Sequence, residues 1–274
     1  MSRYVILILF CLFRPCQNLS TCECDVPRER HIDDSEKWLS ATNSNQARVQ
    51  EAILKMKSEK IESYDIVFYG DSITEDWTGT RFGKPDARHT KTLDVFNSFF
   101  SSSHGGSYEG LAFGIAGDTG PNLIWRLRNG EMPSSLRSKV WWILIGTNDL
   151  SREQCTVDDV IAIVEEVLME VLDHAQPSEK VIINGLLPRF DDEELTFWDQ
   201  IQDINKSIQK ICDEKKESGL NVEYFEENYV FFKEVKDETV FNEDVMPDKL
   251  HPNSFGHELW ARKIVAKLDS FWNA

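Results

Sequence analysis

The chain of 274 residues is 41% hydrophobic, enough to bury one substantial core, and no linker-like stretch divides it in two. Its 30 Lys and Arg face 47 Asp and Glu, a formal net charge of -17 that argues against a nucleic-acid partner and describes an acidic, solvated surface.

The N-terminus, MSRYVILILFCLF, has an early Arg3 followed by an apolar run from Tyr4 to Phe13. This is the plan of a secretory signal peptide, and it is too short to span a bilayer comfortably. Ser20 and Cys22 are small residues at cleavage-like offsets, although Arg14, Pro15 and Gln17 interrupt the pattern. Residues 1–24 are therefore read as a signal peptide or leader, which implies a secreted protein or one of the endomembrane lumen; an uncleaved membrane anchor is the alternative. Cys11, Cys16, Cys22 and Cys24 crowd into this leader and its exit, and the remaining cysteines are Cys155 and Cys212. That spacing is not a zinc pattern. With the leader removed, Cys22, Cys24, Cys155 and Cys212 are left for disulfides in an oxidising compartment, in a pairing the spacing leaves open. Asn-x-Ser triplets at Asn18 and Asn205 are compatible with secretion.

After the leader, residues 25–62 predict an arm, irregular and polar to about residue 45, and then a helix on which Val49, Ile53 and Met56 recur at helical spacing. Residues 63–274 predict one α/β domain. Its strands are YDIVFYG, GLAFGI, KVWWILIG, KVIINGLL and a weaker NVEYF, and its main helices are VDDVIAIVEEVLMEVLDHA and WDQIQDINKSIQKICDEKK. A closing helix, SFGHELWARKIVAKLDSFW, turns Leu259, Ile264, Val265 and Leu268 inward. Strands apolar on both faces and separated by amphipathic helices require a parallel sheet covered on both sides, a three-layer α/β/α fold.

Ligands of such sheets bind beyond the carboxyl ends of the strands. The residues there are Gly70, Asp71 and Ser72; then Ala116, Gly117 and Asp118; then Gly146, Thr147, Asn148 and Asp149. A serine at a strand end is a poor nucleophile without a base and an oxyanion site. His251 is the candidate base, because Asp248 three residues earlier can hold its Nδ1 and leave Nε2 free for the serine proton. The backbone N–H of Ser72, the N–H of Gly117 and the side-chain amide of Asn148 are candidate oxyanion donors.

Plainer roles compete with these. Ser72 followed by Glu75 has the spacing of a helix capping box. Asp71 and Asp118 suit loop bracing better than a catalytic pair. His257 falls inside the closing helix as a structural or surface residue, and His174 ends a helix. His31, His89 and His104 lie in polar loops without ligand spacing, so neither a metal nor another cofactor is expected. Trp125, Trp141, Trp142 and Trp260 read as core or pocket wall.

The blocks GDSI (70–73), GIAGDT (114–119), GTND (146–149) and DKLHP (248–252) resemble, in order, those of the SGNH or GDSL-type esterase and lipase family. AFGIAGDTGPNLIWRLRNGEM and GLLPR are similar to segments of the catalytic subunits of platelet-activating-factor acetylhydrolases. Ile73 stands where the motif name has leucine. The resemblance implies a flavodoxin-like SGNH hydrolase fold and a cofactor-independent carboxylic ester hydrolase: Ser72 as nucleophile, His251 as base, Asp248 as its partner, and Ser72, Gly117 and Asn148 as the oxyanion hole. The implied substrate is a small-molecule ester with a short acyl group, often acetyl, on a lipid or carbohydrate. EDWTGTRFGKPDARHTK, after the nucleophile, is expected to shape the pocket. Dimer formation is compatible with the resemblance, although nothing in the sequence shows it. The competing readings are a non-catalytic binding module that keeps this fold and a membrane-anchored interaction protein. No Gly-x-Ser-x-Gly elbow occurs, which disfavours the α/β-hydrolase fold.

Overall fold

A computed structural model describes residues 27–30, 34–151, 155–191 and 197–272. The expected leader at 1–24 lies outside the described residues, as do Asn18, Cys22, Cys24 and His31. Among the described residues, no helix is long and apolar enough to cross a membrane.

In chain order the elements are α1 (Ser35–Glu59), β1 (Tyr64–Gly70), α2 (Ser72–Asp76), β2 (Thr80–Arg81), β3 (Lys84–Pro85), α3 (Thr90–Phe100), β4 (Gly110–Gly114), α4 (Gly120–Arg126), β5 (Ser138–Leu144) and α5 (Thr147–Ser151). Then come α6 (Val157–His174), β6 (Lys180–Asn184), α7 (Phe197–Glu217), β7 (Val222–Phe225), β8 (Phe232–Val235), β9 (Glu238–Phe241) and α8 (Ser254–Trp272). α1 begins at Ser35, inside the stretch whose polar composition predicts an irregular arm. The reason is that its inward face is partly polar: Thr42 and Asn45 are buried with Trp38, and their side chains bond to Trp38 O (3.0 Å) and Gly114 O (3.4 Å). A hydropathy stripe does not record such a face.

Five strands form one parallel sheet in the order β4-β1-β5-β6-β7. Alternation along β1 sends Phe68 to one face, against Phe96 and Phe100 of α3, and Tyr69 to the other, stacked on Phe113 and Trp141. Both faces are therefore apolar, which is why these strands read as unbroken hydrophobic runs. On α8 the buried residues include Trp260, Ala261, Ile264 and Leu268, while Leu259 and Val265 are only half-buried.

β1 occupies the middle of the nucleophile end. In register, Gly70 pairs with Gly114 of β4 and with Leu144 of β5, so the chain leaves all three strands at one level. From β1 the chain moves outward to β4 and then returns across β1 to β5, and the crevice of an open parallel sheet falls at that reversal.

Candidate active site

Ser72 is the first residue of α2, and Asp71 is its cap, accepting from Ile73 N–H at 3.0 Å. This corrects the capping-box reading of Ser72 and Glu75. The Glu75 carboxylate turns away from the helix start and accepts from Gly83 N–H (2.7 Å), Ala116 N–H (2.7 Å) and Thr80 Oγ1 (3.1 Å). With the cap supplied one residue earlier, the serine hydroxyl is spared that task, and Ser72 Oγ lies 2.9 Å from His251 Nε2. The turn is packed against β4 so closely that a Cβ on Gly114 would overlap Glu75 N and Asp71 O.

His251 Nδ1 lies 2.8 Å from Asp248 Oδ2, and Asp248 Oδ1 accepts from the N–H groups of Leu250 (3.0 Å) and His251 (2.7 Å). A carboxylate only accepts, so Nδ1 is the donor and Nε2 is left to accept from the Ser72 hydroxyl. Burial pushes the Asp248 carboxyl up, but the bonds from the His251 ring and the two N–H groups outweigh it and hold the group down to about 2. Its side chain is 56% exposed, and the turn passes through Lys249 at φ +60°.

Asn148, on α5, donates through Nδ2 to Asp118 O at 2.9 Å and approaches Asp71 Oδ2 at 3.5 Å. Gly117 precedes Asp118 at φ +77°, a conformation that suits glycine. Ser72, Gly117 and Asn148 thus lie just beyond the ends of three neighbouring strands, β1, β4 and β5. Asp118 and Asp71 are bracing groups, as expected. Asp118 accepts from Trp38 Nε1 at 2.6 Å and pairs with Arg126 Nε at 2.7 Å. Burial pushes both aspartates up to about 6, opposed mainly by Arg126 at Asp118 and by the Ile73 N–H at Asp71.

Several supporting residues escaped the sequence reading. Arg126 is fully buried and also donates to Gly70 O (2.9 Å) and pairs with Glu131. Glu131 is pushed up to about 7 by burial, against the pull of that guanidinium. Asp76, one turn after Ser72, is buried with Oδ1 3.0 Å from His89 Nδ1, and burial raises its carboxyl well above the usual range. His89 is therefore not simply a loop residue. The one signal for Asp76 was its four-residue spacing from Ser72 on a helix. His257 is structural: it is buried, with its ring 4.5 Å from Trp77.

Among the described residues, no group of three His, Cys, Asp or Glu is placed to hold a metal ion. Cys155 is disulfide-bonded, and Cys212 is a free, buried thiol, which removes it from the candidate pairs. Asn205 is 2% exposed and its amide is committed to Leu186, accepting from N–H at 2.7 Å and donating to O at 3.0 Å, so its triplet is closed to a glycan in the folded chain.

A serine within reach of a histidine that is fixed by a carboxylate, at the carboxyl end of a parallel sheet, defines a class of serine hydrolase sites. Residues 68–259 match the GDSL-like lipase/acylhydrolase family, and the chain belongs to it. It is 28% identical over 158 residues to platelet-activating factor acetylhydrolase IB subunit alpha2 of Homo sapiens, covering 58% of this chain and 55% of that one. The chain spans about half the length of the curated relatives it matches. Among solved structures, a GDSL-like lipase of Bacteroides thetaiotaomicron superimposes with a TM-score of 0.57 at 19% identity, over 83% of this chain and 98% of that one. An acetylxylan esterase of Geobacillus stearothermophilus does so with a TM-score of 0.51 at 18% identity, over 76% and 96%. These two likenesses are of fold.

Proposed function

We propose that the protein is a carboxylic ester hydrolase acting through an acyl-enzyme on Ser72. The observation that carries this reading is the unbroken hydrogen-bonded chain from Ser72 Oγ to His251 to Asp248, with steps of 2.9 and 2.8 Å. Ser72 Oγ attacks the ester carbonyl as His251 Nε2 takes its proton, and Asp248 stabilises the imidazolium. The oxyanion is met by the N–H groups of Ser72 and Gly117 and by Asn148 Nδ2. The Asn148 N–H facing Asp71 at 3.5 Å is held weakly, and it is the one that can redirect its hydrogen bond to the oxyanion. Collapse expels the alcohol, which takes the proton from His251. Water, deprotonated in turn by His251, then releases the acid and restores Ser72.

The substrate in this reading carries a small acyl group, often acetyl, on a lipid or carbohydrate. The relatives named as acetylhydrolases and the structural neighbour named as an acetylxylan esterase support it. Secretion or residence in the endomembrane lumen is part of the same proposal, supported by the Cys155 disulfide, since such bonds persist in oxidising compartments.

The test is hydrolysis of p-nitrophenyl acetate, butyrate and octanoate by the purified chain and by Ser72→Ala. A burst of nitrophenol from the native chain, with kcat at least about 10⁴-fold lower in the variant, is the expected result. Equal rates for the two proteins would remove the reading.

A further inference from the structure

The segment that follows the nucleophile, residues 75–91, folds back on the helix that carries Ser72. Gly79 N–H donates to Asp76 O (3.1 Å), Asp86 N–H to Gly79 O (2.9 Å) and His89 N–H to Asp86 O (3.0 Å), so a run of backbone bonds returns the chain to Asp76 at His89. There α3 fixes it: the His89 carbonyl accepts from Thr92 and Leu93 N–H, both at 3.0 Å. The ring closes the circuit, with Nδ1 3.0 Å from Asp76 Oδ1.

This second carboxylate–histidine pair stands beside the first. Asp76 is four residues after Ser72 on α2, and side chains at that spacing share a helix face with Cβ atoms about 6 Å apart. Along that face His251 meets Ser72 at 2.9 Å and His89 meets Asp76 at 3.0 Å. His89 is within electrostatic reach of His251, and Asp76 of Asp248. The Asp76 side chain is 1% exposed and that of His89 17%, so the pair is closed at its carboxylate and open at its ring. With Nδ1 turned to the buried carboxylate, Nε2 lies on the ring's open edge.

The direction of the ester reaction decides what that edge meets. The leaving oxygen takes its proton from His251, so the alcohol portion of the substrate lies on the His251 side of Ser72, while the oxyanion donors hold the other oxygen. A side chain beside His251 therefore meets the alcohol portion. The charges around it favour neither sign: Arg81 and Arg88 stand against Asp76 and Asp86 at His89, and Glu75, Asp71 and Asp248 oppose Arg81 at Asp76. A neutral hydroxyl suits such a place, because it donates and accepts and so matches Nε2 with or without its proton.

We propose that His89, seated on Asp76, is a specificity-determining residue that hydrogen-bonds a free hydroxyl on the alcohol portion of the substrate. The preferred esters are then those of polyols, glycerol or a sugar, and not those of simple alcohols. The inference rests on the esterase reading and deepens it.

The experiment compares kcat/KM of the full chain for 2-hydroxyethyl acetate and for propyl acetate, which puts a methyl group in place of the hydroxyl. Their ratio, divided by the ratio for hydrolysis in alkali, is expected to be at least about fivefold, the scale of one hydrogen bond. His89→Phe should bring it to within about twofold of one, and His89→Gln, whose amide can still meet a hydroxyl, should keep more of it than His89→Phe. Loss of folded protein lowers both rates alike and leaves the ratio unmoved. Glycerol monoacetate and methyl xyloside monoacetate serve as the two polyol sources; at least one should exceed propyl acetate by the same margin, and the faster names the source. If Ser72→Ala hydrolyses p-nitrophenyl acetate as fast as the native chain, the esterase reading falls and this inference with it. A Ser72-dependent esterase whose ratio is near one, or whose ratio survives His89→Phe, overturns this inference alone.

Discussion

The two halves of the Ser72–His251 pair are held in opposite ways. The serine sits in a turn with no slack: Asp71 accepts from the Ile73 N–H, Glu75 from those of Gly83 and Ala116, Arg126 donates to Gly70 O, and the turn leaves no room for a methyl group at Gly114 of β4. The histidine sits on a surface turn whose carboxylate is 56% exposed and, among the described residues, bonds only to groups within three residues of it. One half is positioned by the core and the other by a local knot, so changes should separate stability from activity differently in each.

The largest effect tests the exposed half. Asp248→Asn should lower kcat about 10³-fold, about 4 kcal/mol in the barrier, because the amide no longer fixes the donor state of Nδ1. Its unfolding free energy from urea melts should change by less than about 1 kcal/mol, as expected at a solvated position. Stability falling as far as activity would dissolve the contrast. In the buried half, Gly114→Ala should cost about 3 kcal/mol of unfolding free energy, since the obstructing atoms are backbone and cannot turn aside. A loss below about 1 kcal/mol in urea melts would show that the serine turn has slack after all.

The pH response sharpens the contrast further, with a smaller effect. Burial raises Asp71 to about 6, against about 3.9 in an unfolded chain, so between those values the folded state holds a proton the unfolded state has lost. Stability from this group is greatest below about pH 4 and declines by about 2 kcal/mol as pH rises to 6. Asp248, held down to about 2, has the opposite sign: its contribution is present above about pH 4 and is lost as pH falls towards 2. Comparing urea midpoints at pH 4 and pH 7 should show a shallower decline in Asp71→Asn than in the native chain. Equal slopes would mean that Asp71 titrates as an ordinary exposed aspartate.

This difference also explains what could be read in advance. Ser72, Gly117, Asn148, Asp248 and His251 stood out because each follows a strand or precedes a closing helix, where residue type and short spacing carry the chemistry. The parallel sheet was equally legible, since burial on both faces leaves unbroken apolar runs. Arg126 was not, because its value comes from meeting Gly70, Asp118 and Glu131, and only the first turn of contact is local. Glu75 looked like a capping residue because its spacing from Ser72 is local, while its real partners, Gly83 and Ala116, are brought in by a hairpin and a distant loop. The start of α1 stayed hidden for a related reason: Thr42 and Asn45 face inward as polar groups, and their partners are visible only after folding.

The closed asparagine at 205 turns the molecule into a recorder of its own biogenesis. If the chain matures in a glycosylating compartment, an oligosaccharyl group can be attached there only before α7 docks onto Leu186, because afterwards no enzyme can reach the amide. A glycosylated Asn205 would then be a time stamp, marking those chains in which transfer outran docking and which can no longer complete the helix contact.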